Sequence, residues 1–141
     1  SYRRLIRYHA APINVQWGLD NRTVGLRVPD SGRESRRVEN RVPGADANPY
    51  LAIAASLACG LLGMQQKLDP SAPVTASAYD MPYELPRSLE QSLQALENSD
   101  DLKEMLGTRF VQAWHAVKES EYDTFLQVIS SWEREHLLLN V

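Results

Sequence analysis

The 141-residue sequence has a single cysteine, Cys59, so it cannot form an internal disulfide and shows no paired-cysteine framework. It also lacks a membrane-length apolar run. The longest uncharged stretch, residues 48–66, is rich in alanine and glycine and favours a buried helix over a membrane span. Residues 1–4 lack the apolar segment of a signal peptide. These absences favour a cytoplasmic protein with no membrane partner.

Negative charge is scarce in the first part of the chain. Residues 1–41 carry nine Lys or Arg against four Asp or Glu, a balance of about +5, whereas the remainder carries six against fourteen, about −8. A basic front end on an acidic body predicts a local anion site rather than a general nucleic-acid binder. With 43% hydrophobic and 23% charged residues, the chain has the composition of a folded domain.

The hydrophobic pattern predicts strands first and helices afterwards. Residues 12–19 alternate apolar and polar, and residues 23–28 and 36–42 are also extended, which favours three short antiparallel strands within about 12–42. The pair Asn48-Pro49 predicts the start of a helix over about 48–67. That helix is apolar nearly all round, so we expect it to be buried, with Cys59 in its core.

The rest of the chain is predicted to be a loop followed by helices. Residues 68–86 hold four of the eight prolines and are interpreted as a surface loop. Capping patterns at Ser88 and Ser99 predict two helices, and a last helix is predicted over about 108–136. Its aromatic stripe, which includes Phe110, Trp114 and Trp132, is interpreted as core or interface. The predicted class is α+β, with short antiparallel strands, a buried helix and C-terminal helices spanning 88–136.

Arginines crowd around one carboxylate between residues 22 and 41. Two-residue periodicity places Arg37, Glu39 and Arg41 on one face of a strand, with roughly 7 Å between successive members. Arg22 and Arg27 are five residues apart, so a bulge or turn is needed if both reach one ligand. Such dense guanidiniums repel one another unless an anion joins them, which predicts a polyanionic ligand. A structural ladder of ion pairs is the alternative.

Three motifs in order resemble one family. Residues 21–29 (NRTVGLRVP), 36–41 (RRVENR) and 48–51 (NPYL) resemble the C-terminal catalytic part of the glutamine synthetases, and residues 1–5 resemble that family's substrate-binding segment. The resemblance is strong over residues 1–67 and loose over the helical remainder. Residues 17–23 (WGLDNRT) are most similar to the branch that joins glutamate to amines such as putrescine, the γ-glutamylpolyamine synthetases. The resemblance implies that residues 1–141 form the C-terminal portion of such a catalytic domain.

The resemblance implies a role for each arginine. Arg4 would hold the α-carboxylate of glutamate and Arg41 its side-chain carboxylate. Arg22, Arg27 and Arg37 would contact the phosphates of ATP, with Arg22 and Arg37 catalytic during phosphoryl transfer. Arg33 lies near another basic ATP contact of the family.

The metal and the amine acceptor are implied in the same way. Glu39 would be one ligand of Mg²⁺ or Mn²⁺, ions that prefer oxygen ligands. Ammonia-using members carry a glutamate where this chain has Ala10. That glutamate takes a proton from ammonium, so its absence favours a larger amine. His9, beside it, is a weaker candidate for substrate contact.

The expected function is therefore that of an ATP-dependent ligase of nitrogen metabolism. The resemblance to the γ-glutamylpolyamine branch further implies a role in polyamine catabolism. Its substrates would be glutamate, ATP and an amine, joined through γ-glutamyl phosphate, with no nucleic-acid partner. The full-length parent is expected to form a homo-oligomeric ring, a dodecamer, onto which the apolar tail at 137–141 could dock. The isolated fragment is expected to be inactive because one glutamate cannot hold a catalytic metal. The alternatives are an ammonia-using glutamine synthetase and, for the isolated chain, a non-catalytic folding or assembly module.

Overall fold

The computed structural model describes residues 2–138 and has the predicted α+β class. A three-stranded sheet comes first and five helices follow among these residues. The elements are β1 (Trp17–Leu19), β2 (Leu26–Val28), β3 (Glu39–Asn40), α1 (Pro49–Gln65), α2 (Leu89–Glu97), α3 (Asp100–Leu106), α4 (Thr108–Leu126) and α5 (Ser131–His136). Short 3₁₀ helices occur at Tyr2–Arg4, Arg33–Ser35 and Ala78–Asp80. Among the helices of residues 2–138, none combines the length and the apolar character that a membrane crossing requires.

The sheet is mixed, so the expectation of antiparallel strands is correct for one pair and wrong for the other. β2 and β3 are antiparallel, with Arg27 directly opposite Glu39. β1 and β2 are parallel. The cause is the loop 20–25, which turns the chain fully back, because Gly25 and Leu26 donate their backbone N–H groups to the Gln16 carbonyl at 2.9 and 3.1 Å. β2 therefore starts beside the start of β1. All three strands are also shorter than predicted.

The core of the described chain lies where residues 11–14 meet the proline-rich segment. Ile13 and Val24 are fully buried, and Ala78 and Tyr79 pack among the buried residues. Asn14 is also buried, and its side-chain amide donates to the Ala78 carbonyl at 2.8 Å. The interpretation of residues 68–86 as a surface loop is thus wrong for Ala78 and Tyr79. Proline blocks regular structure there but does not prevent a loop from covering a core.

Helix α1 begins as predicted but is not buried as predicted. The Asn48 side chain accepts hydrogen bonds from the backbone N–H groups of Tyr50 and Leu51, and Pro49 occupies the first turn. Ala58 is the one buried residue of the helix, and Cys59 is exposed. The physical reason is that an all-apolar helix is buried only where other elements cover it. In the described chain, α3 packs against α1 and leaves the other faces open.

The last predicted helix is divided in two. α4 ends at Leu126 and α5 begins at Ser131, where Ser130 and Glu133 form a capping box through reciprocal hydrogen bonds of 3.2 and 2.7 Å. That Ser-x-x-Glu pattern is visible in the sequence and competes with continuation of the helix. The aromatic stripe is largely exposed here, including Phe110, Phe125 and Trp132. Of the apolar tail, Leu137 and Leu138 are exposed, and residues 139–141 lie outside the described part.

The other two capping predictions have different outcomes. Ser88 caps α2 by accepting from the backbone N–H of Gln91 at 3.2 Å. The Gln91 side chain accepts a hydrogen bond from the backbone N–H of Arg87. In a standard capping box it would accept from the N–H of the cap residue, Ser88, instead. Ser99 precedes α3 but makes no side-chain cap bond.

Two isoleucine truncations test where the core of this chain lies. Ile13→Ala removes a fully buried side chain and is expected to lower the free energy of unfolding by about 2–5 kcal/mol. Ile53→Ala, on the uncovered side of α1 at 61% exposure, is the matched control and should change it by less than about 1 kcal/mol. Urea denaturation of the 141-residue chain measures both. Equal losses in the two variants would show that α1 is buried in solution.

Candidate active site

Glu39 lies at the centre of a row of alternating charges. One of its carboxylate oxygens accepts a hydrogen bond from Arg27 Nη1 at 2.8 Å, and the other accepts from Arg37 Nη2 at 3.1 Å. Arg27 in turn donates from Nη2 to Asp20. The order is therefore Asp20, Arg27, Glu39 and Arg37. The Arg27 side chain is only 13% exposed, against 53% for Arg37, so the row runs from the sheet towards solvent.

These contacts favour the charged forms of Asp20, Arg27 and Glu39. Hydrogen bonding to Arg27 lowers the pKa of Glu39 below its ordinary value, and the attraction of Arg37 adds to the effect. The pKa of Asp20 is also lowered, chiefly by its hydrogen bond to Arg27. Conversely, the pKa of Arg27 is raised by its hydrogen bonds to Glu39 and Asp20. The carboxylate of Glu39 therefore stays ionised to a lower pH than that of an isolated glutamate.

Arg41 joins two loops instead of reaching Glu39. Its Nη2 donates to the backbone carbonyls of Ala10 at 3.0 Å and Arg22 at 2.8 Å. Ala10 has φ 57°, a conformation that is costly for a residue with a Cβ, and Tyr8 has φ 65°. The contact from Arg41 therefore holds a strained segment, residues 8–10, beside the loop that carries Arg22. Among residues 2–138, the buried Nε–H groups of Arg41 and Arg27 have no acceptor.

Arg22 extends from a loop that is fixed on both sides. Asn21 donates from its amide nitrogen to the carbonyls of Val74 at 3.0 Å and Ala76 at 2.8 Å, and its Oδ1 accepts from the Thr23 backbone N–H at 2.9 Å. Arg22 itself is exposed, and its side chain makes no hydrogen bond or ion pair within the described residues. The backbone is thus held firmly while the guanidinium is left available.

The remaining predicted residues lie around this row. Arg4 donates from Nη2 to the carbonyls of Arg41, at 3.2 Å, and Val42, so it sits behind the strand that carries Arg41. Arg33 is exposed in a short 3₁₀ helix, and His9 is exposed in the strained segment. The structure therefore joins Arg27 and Arg37 directly to Glu39. It links Arg41 to Arg22 through a backbone carbonyl and Arg4 to Arg41 in the same way. The ligand-binding roles of these residues stay predictions.

The residues present do not form a metal site by themselves. Within residues 2–138 there is no group of three His, Cys, Asp or Glu side chains placed to hold a metal ion. Glu39 is a single carboxylate with a guanidinium on each oxygen. A resident divalent cation therefore does not fit this chain alone, and the assignment of Glu39 as a metal ligand stays a prediction about a larger site.

The contributions of Asp20 and Asn21 to the site are not evident from the sequence. Asp20 lies seven residues from Arg27 with a loop between them, so no strand or helix periodicity relates the two. The available signal is that both residues belong to the 17–23 motif, just before Arg22.

The comparisons with known proteins decide the family. The family model "Glutamine synthetase, catalytic domain" matches residues 1–137. The chain belongs to the glutamine synthetase catalytic-domain family. It is 41% identical to type-1 glutamine synthetase 2 of Dictyostelium discoideum and 39% identical to glutamate–isopropylamine ligase of a Pseudomonas species. It is 40% identical to γ-glutamylethanolamide synthetase of Streptomyces coelicolor. These matches cover 98%, 94% and 94% of the chain.

The glutamine synthetase match extends to the fold. The solved structure of ligand-free GmaS superimposes with a TM-score of 0.80 at 34% identity, over 97% of this chain and 32% of that one. The chain spans 27, 30 and 29% of the length of the three curated relatives. The predicted family and the α+β class are therefore confirmed. The branch within the family and the activity of the whole protein are proposals.

The charge row predicts a specific dependence of stability on pH. Because Asp20 and Glu39 have lowered pKa values in the folded chain, their contribution is present above the ordinary carboxyl pKa of about 4. It is lost as pH falls through the lower folded values. Arg27→Gln removes the chief cause and should flatten this acid loss. Urea unfolding across about pH 2.5 to 7 measures it, with Arg134→Gln as the control. An unchanged slope in Arg27→Gln would contradict the assignment.

Proposed function

We propose that this chain is the C-terminal portion of the catalytic domain of an ATP-dependent ligase that joins glutamate to an amine. The observation that supports the proposal most directly is the row Arg27–Glu39–Arg37 on the sheet, with Arg22 held available beside it. In the reaction, the side-chain carboxylate of glutamate attacks the γ-phosphorus of ATP and ADP leaves. The amine then attacks the γ-glutamyl phosphate and inorganic phosphate leaves.

In this proposal the arginines of the chain neutralise the negative charge of the ATP phosphates and of the glutamate carboxylate. Phosphoryl transfer to a carboxylate brings two anions together, so the protein contributes mainly positioning and positive charge. Arg22, Arg27 and Arg37 contact the ATP phosphates in this proposal, with Arg22 and Arg37 acting on the transferred group. Arg22 supports this role because its guanidinium is exposed on a fixed loop. Arg37 keeps an exposed side chain while bound to Glu39.

Glutamate binding is assigned to Arg4 and Arg41. Arg4 holds the α-carboxylate and Arg41 holds the carboxylate that becomes phosphorylated. The Arg4 guanidinium lies beside the backbone of Arg41, since it donates to the Arg41 carbonyl. Each retains further N–H donors beyond those spent on backbone carbonyls, because a guanidinium carries five.

Glu39 contributes one oxygen ligand to a divalent cation, Mg²⁺ or Mn²⁺, whose other ligands lie outside this chain. When bound, the cation neutralises phosphate charge. Glu39 can take this role because a carboxylate has about four acceptor positions and two are occupied by Arg27 and Arg37. The whole protein assembles as a ring, and the isolated chain does not perform the ligation. The chain by itself would then act as a folding or assembly module.

A variant of Glu39 tests the site in the longer protein that carries this chain. Glu39→Ala is expected to lower kcat by at least about 100-fold, because a charge-organising group at the phosphates is lost. Phosphate release from ATP with glutamate and an amine measures it, and Mn²⁺ binding should weaken in parallel. Glu135→Ala, on the exposed face of α5, is the control, and the 141-residue chain alone is the blank. Turnover at the wild-type rate in Glu39→Ala at ordinary Mg²⁺ would refute the role.

The acceptor is proposed to be a primary amine larger than ammonia, as in the γ-glutamylpolyamine branch. Ala10 supports this because it presents a methyl group, where ammonia-using members carry a carboxylate that takes a proton from ammonium. Its backbone is held beside the loop of Arg22 by Arg41. The names of two relatives, an isopropylamine ligase and an ethanolamide synthetase, also denote amine acceptors. The second candidate is an ammonia-using glutamine synthetase, favoured by the 41% identity to the Dictyostelium protein.

A panel of acceptors distinguishes the two candidates. Phosphate release is measured with glutamate, ATP and each of ammonia, isopropylamine, ethanolamine and putrescine. We expect one of the amines to give a kcat/KM at least about tenfold above that of ammonia, since each added group that the protein contacts is worth about this factor. Ala10→Glu should narrow the difference by restoring a proton acceptor for ammonium. Ammonia ranking first in the wild-type protein would overturn the assignment of the branch.

A further inference from the structure

A second group of cations, separate from the Glu39 row, gathers around Tyr83. The guanidinium carbon of Arg7 lies 5.2 Å from the centre of the Tyr83 ring, and that of Arg87 lies 5.0 Å from it. Arg7 is further fixed because its Nη2 donates to the Met81 carbonyl at 3.2 Å and its backbone N–H donates to the Tyr83 hydroxyl at 3.3 Å. Two like charges are thus held on one aromatic ring.

No carboxylate of the described chain neutralises this pair. Arg7 and Arg87 form no ion pair with any Asp or Glu among residues 2–138, in contrast to Arg27 and Arg37. Each guanidinium therefore keeps a positive charge that attracts an oxyanion. Its attraction to the Tyr83 ring holds it in place.

Arg87 also borders a cavity of about 870 Å³, within the range of small-molecule sites. The cavity lies between residues 2–6, the start of α2 and the second half of α4, and Arg3 lines it too. Its aromatic wall is formed by Tyr122 and Phe125, whose rings stack with centres 6.3 Å apart. The one carboxylate in the lining, Glu121, is paired with Lys118 at 2.6 Å. The cavity therefore combines positive charge at one side with a flat apolar surface at the other.

We propose that this cavity binds a small aromatic oxyanion, with its phosphate or carboxylate group on Arg87 and its ring on Tyr122 and Phe125. The ligand class follows from the two kinds of wall, since a bare phosphate would leave the aromatic surface unused and a neutral ring would leave the charge unmatched. The positive end of the α2 helix dipole at Leu89 adds to the attraction for the anion. This site does not use the arginines assigned to ATP or glutamate.

Phenyl phosphate is a suitable probe, with inorganic phosphate and phenol as its two halves. Isothermal titration of the protein that carries this chain should show phenyl phosphate binding more tightly than either half. Arg87→Gln should weaken it by about tenfold or more, as expected for loss of a charge-assisted hydrogen bond. Arg134→Gln, an exposed arginine of α5 that does not line the cavity, is the matched control and should leave the affinity unchanged.

Further variants separate this cavity from the proposed ATP site and from unfolding. Arg37→Gln should leave the phenyl phosphate affinity at the cavity unchanged. Phe125→Ala should weaken phenyl phosphate but not inorganic phosphate, and it provides an independent test if Arg87→Gln does not fold. The proposal is overturned if Arg87→Gln and Phe125→Ala both bind phenyl phosphate as the wild type does. It is equally overturned if Arg37→Gln alone abolishes binding.

Discussion

Glu39 accepts a guanidinium on each carboxylate oxygen, and this double contact organises the first half of the chain. It requires Arg27 to stand directly opposite on β2, which the antiparallel register provides. Arg27 in turn requires Asp20, which the parallel turn from β1 to β2 brings alongside. Because each charge has its partner, the row is held together without a ligand. The exposed part of the Arg37 guanidinium and the exposed side chain of Arg22 remain available for an anion.

The structural and functional interpretations of this cluster are compatible. A ladder of ion pairs was the alternative to an anion site, and the structure contains such a ladder at Asp20, Arg27, Glu39 and Arg37. Arg22 and Arg41 take no part in the ladder. Arg41 donates from Nη2 to two backbone carbonyls and thereby holds a strained segment beside the Arg22 loop. The ladder thus sets the positions of Arg27, Glu39 and Arg37, and Arg41 contributes to holding the loop of Arg22.

The fold shows which kinds of prediction a single sequence supports. Predictions from local patterns are confirmed where the interacting residues are close in the chain. The Asn48 cap, Pro49 in the first turn of α1 and the Ser88 cap of α2 are all present. Predictions that needed distant partners were less successful. The prediction that α1 and Cys59 are buried is wrong for this chain. Apolar residues on every face of a helix do not show which other elements cover that helix. The parallel pairing of β1 and β2 was missed because a six-residue loop gives no sign of turning fully back.

The sequence by itself determined the family, the α+β class, the clustering of arginines around Glu39 and the start of α1. These follow from short motifs and from hydrogen bonds made within a few residues. Only the tertiary structure decided that Asp20 holds Arg27, that Arg41 binds the carbonyls of Ala10 and Arg22, and that Arg7 and Arg87 share the ring of Tyr83. The partners in these contacts are up to 80 residues apart along the chain, as Arg7 and Arg87 are. Side-chain direction and loop closure, which periodicity does not encode, bring them together.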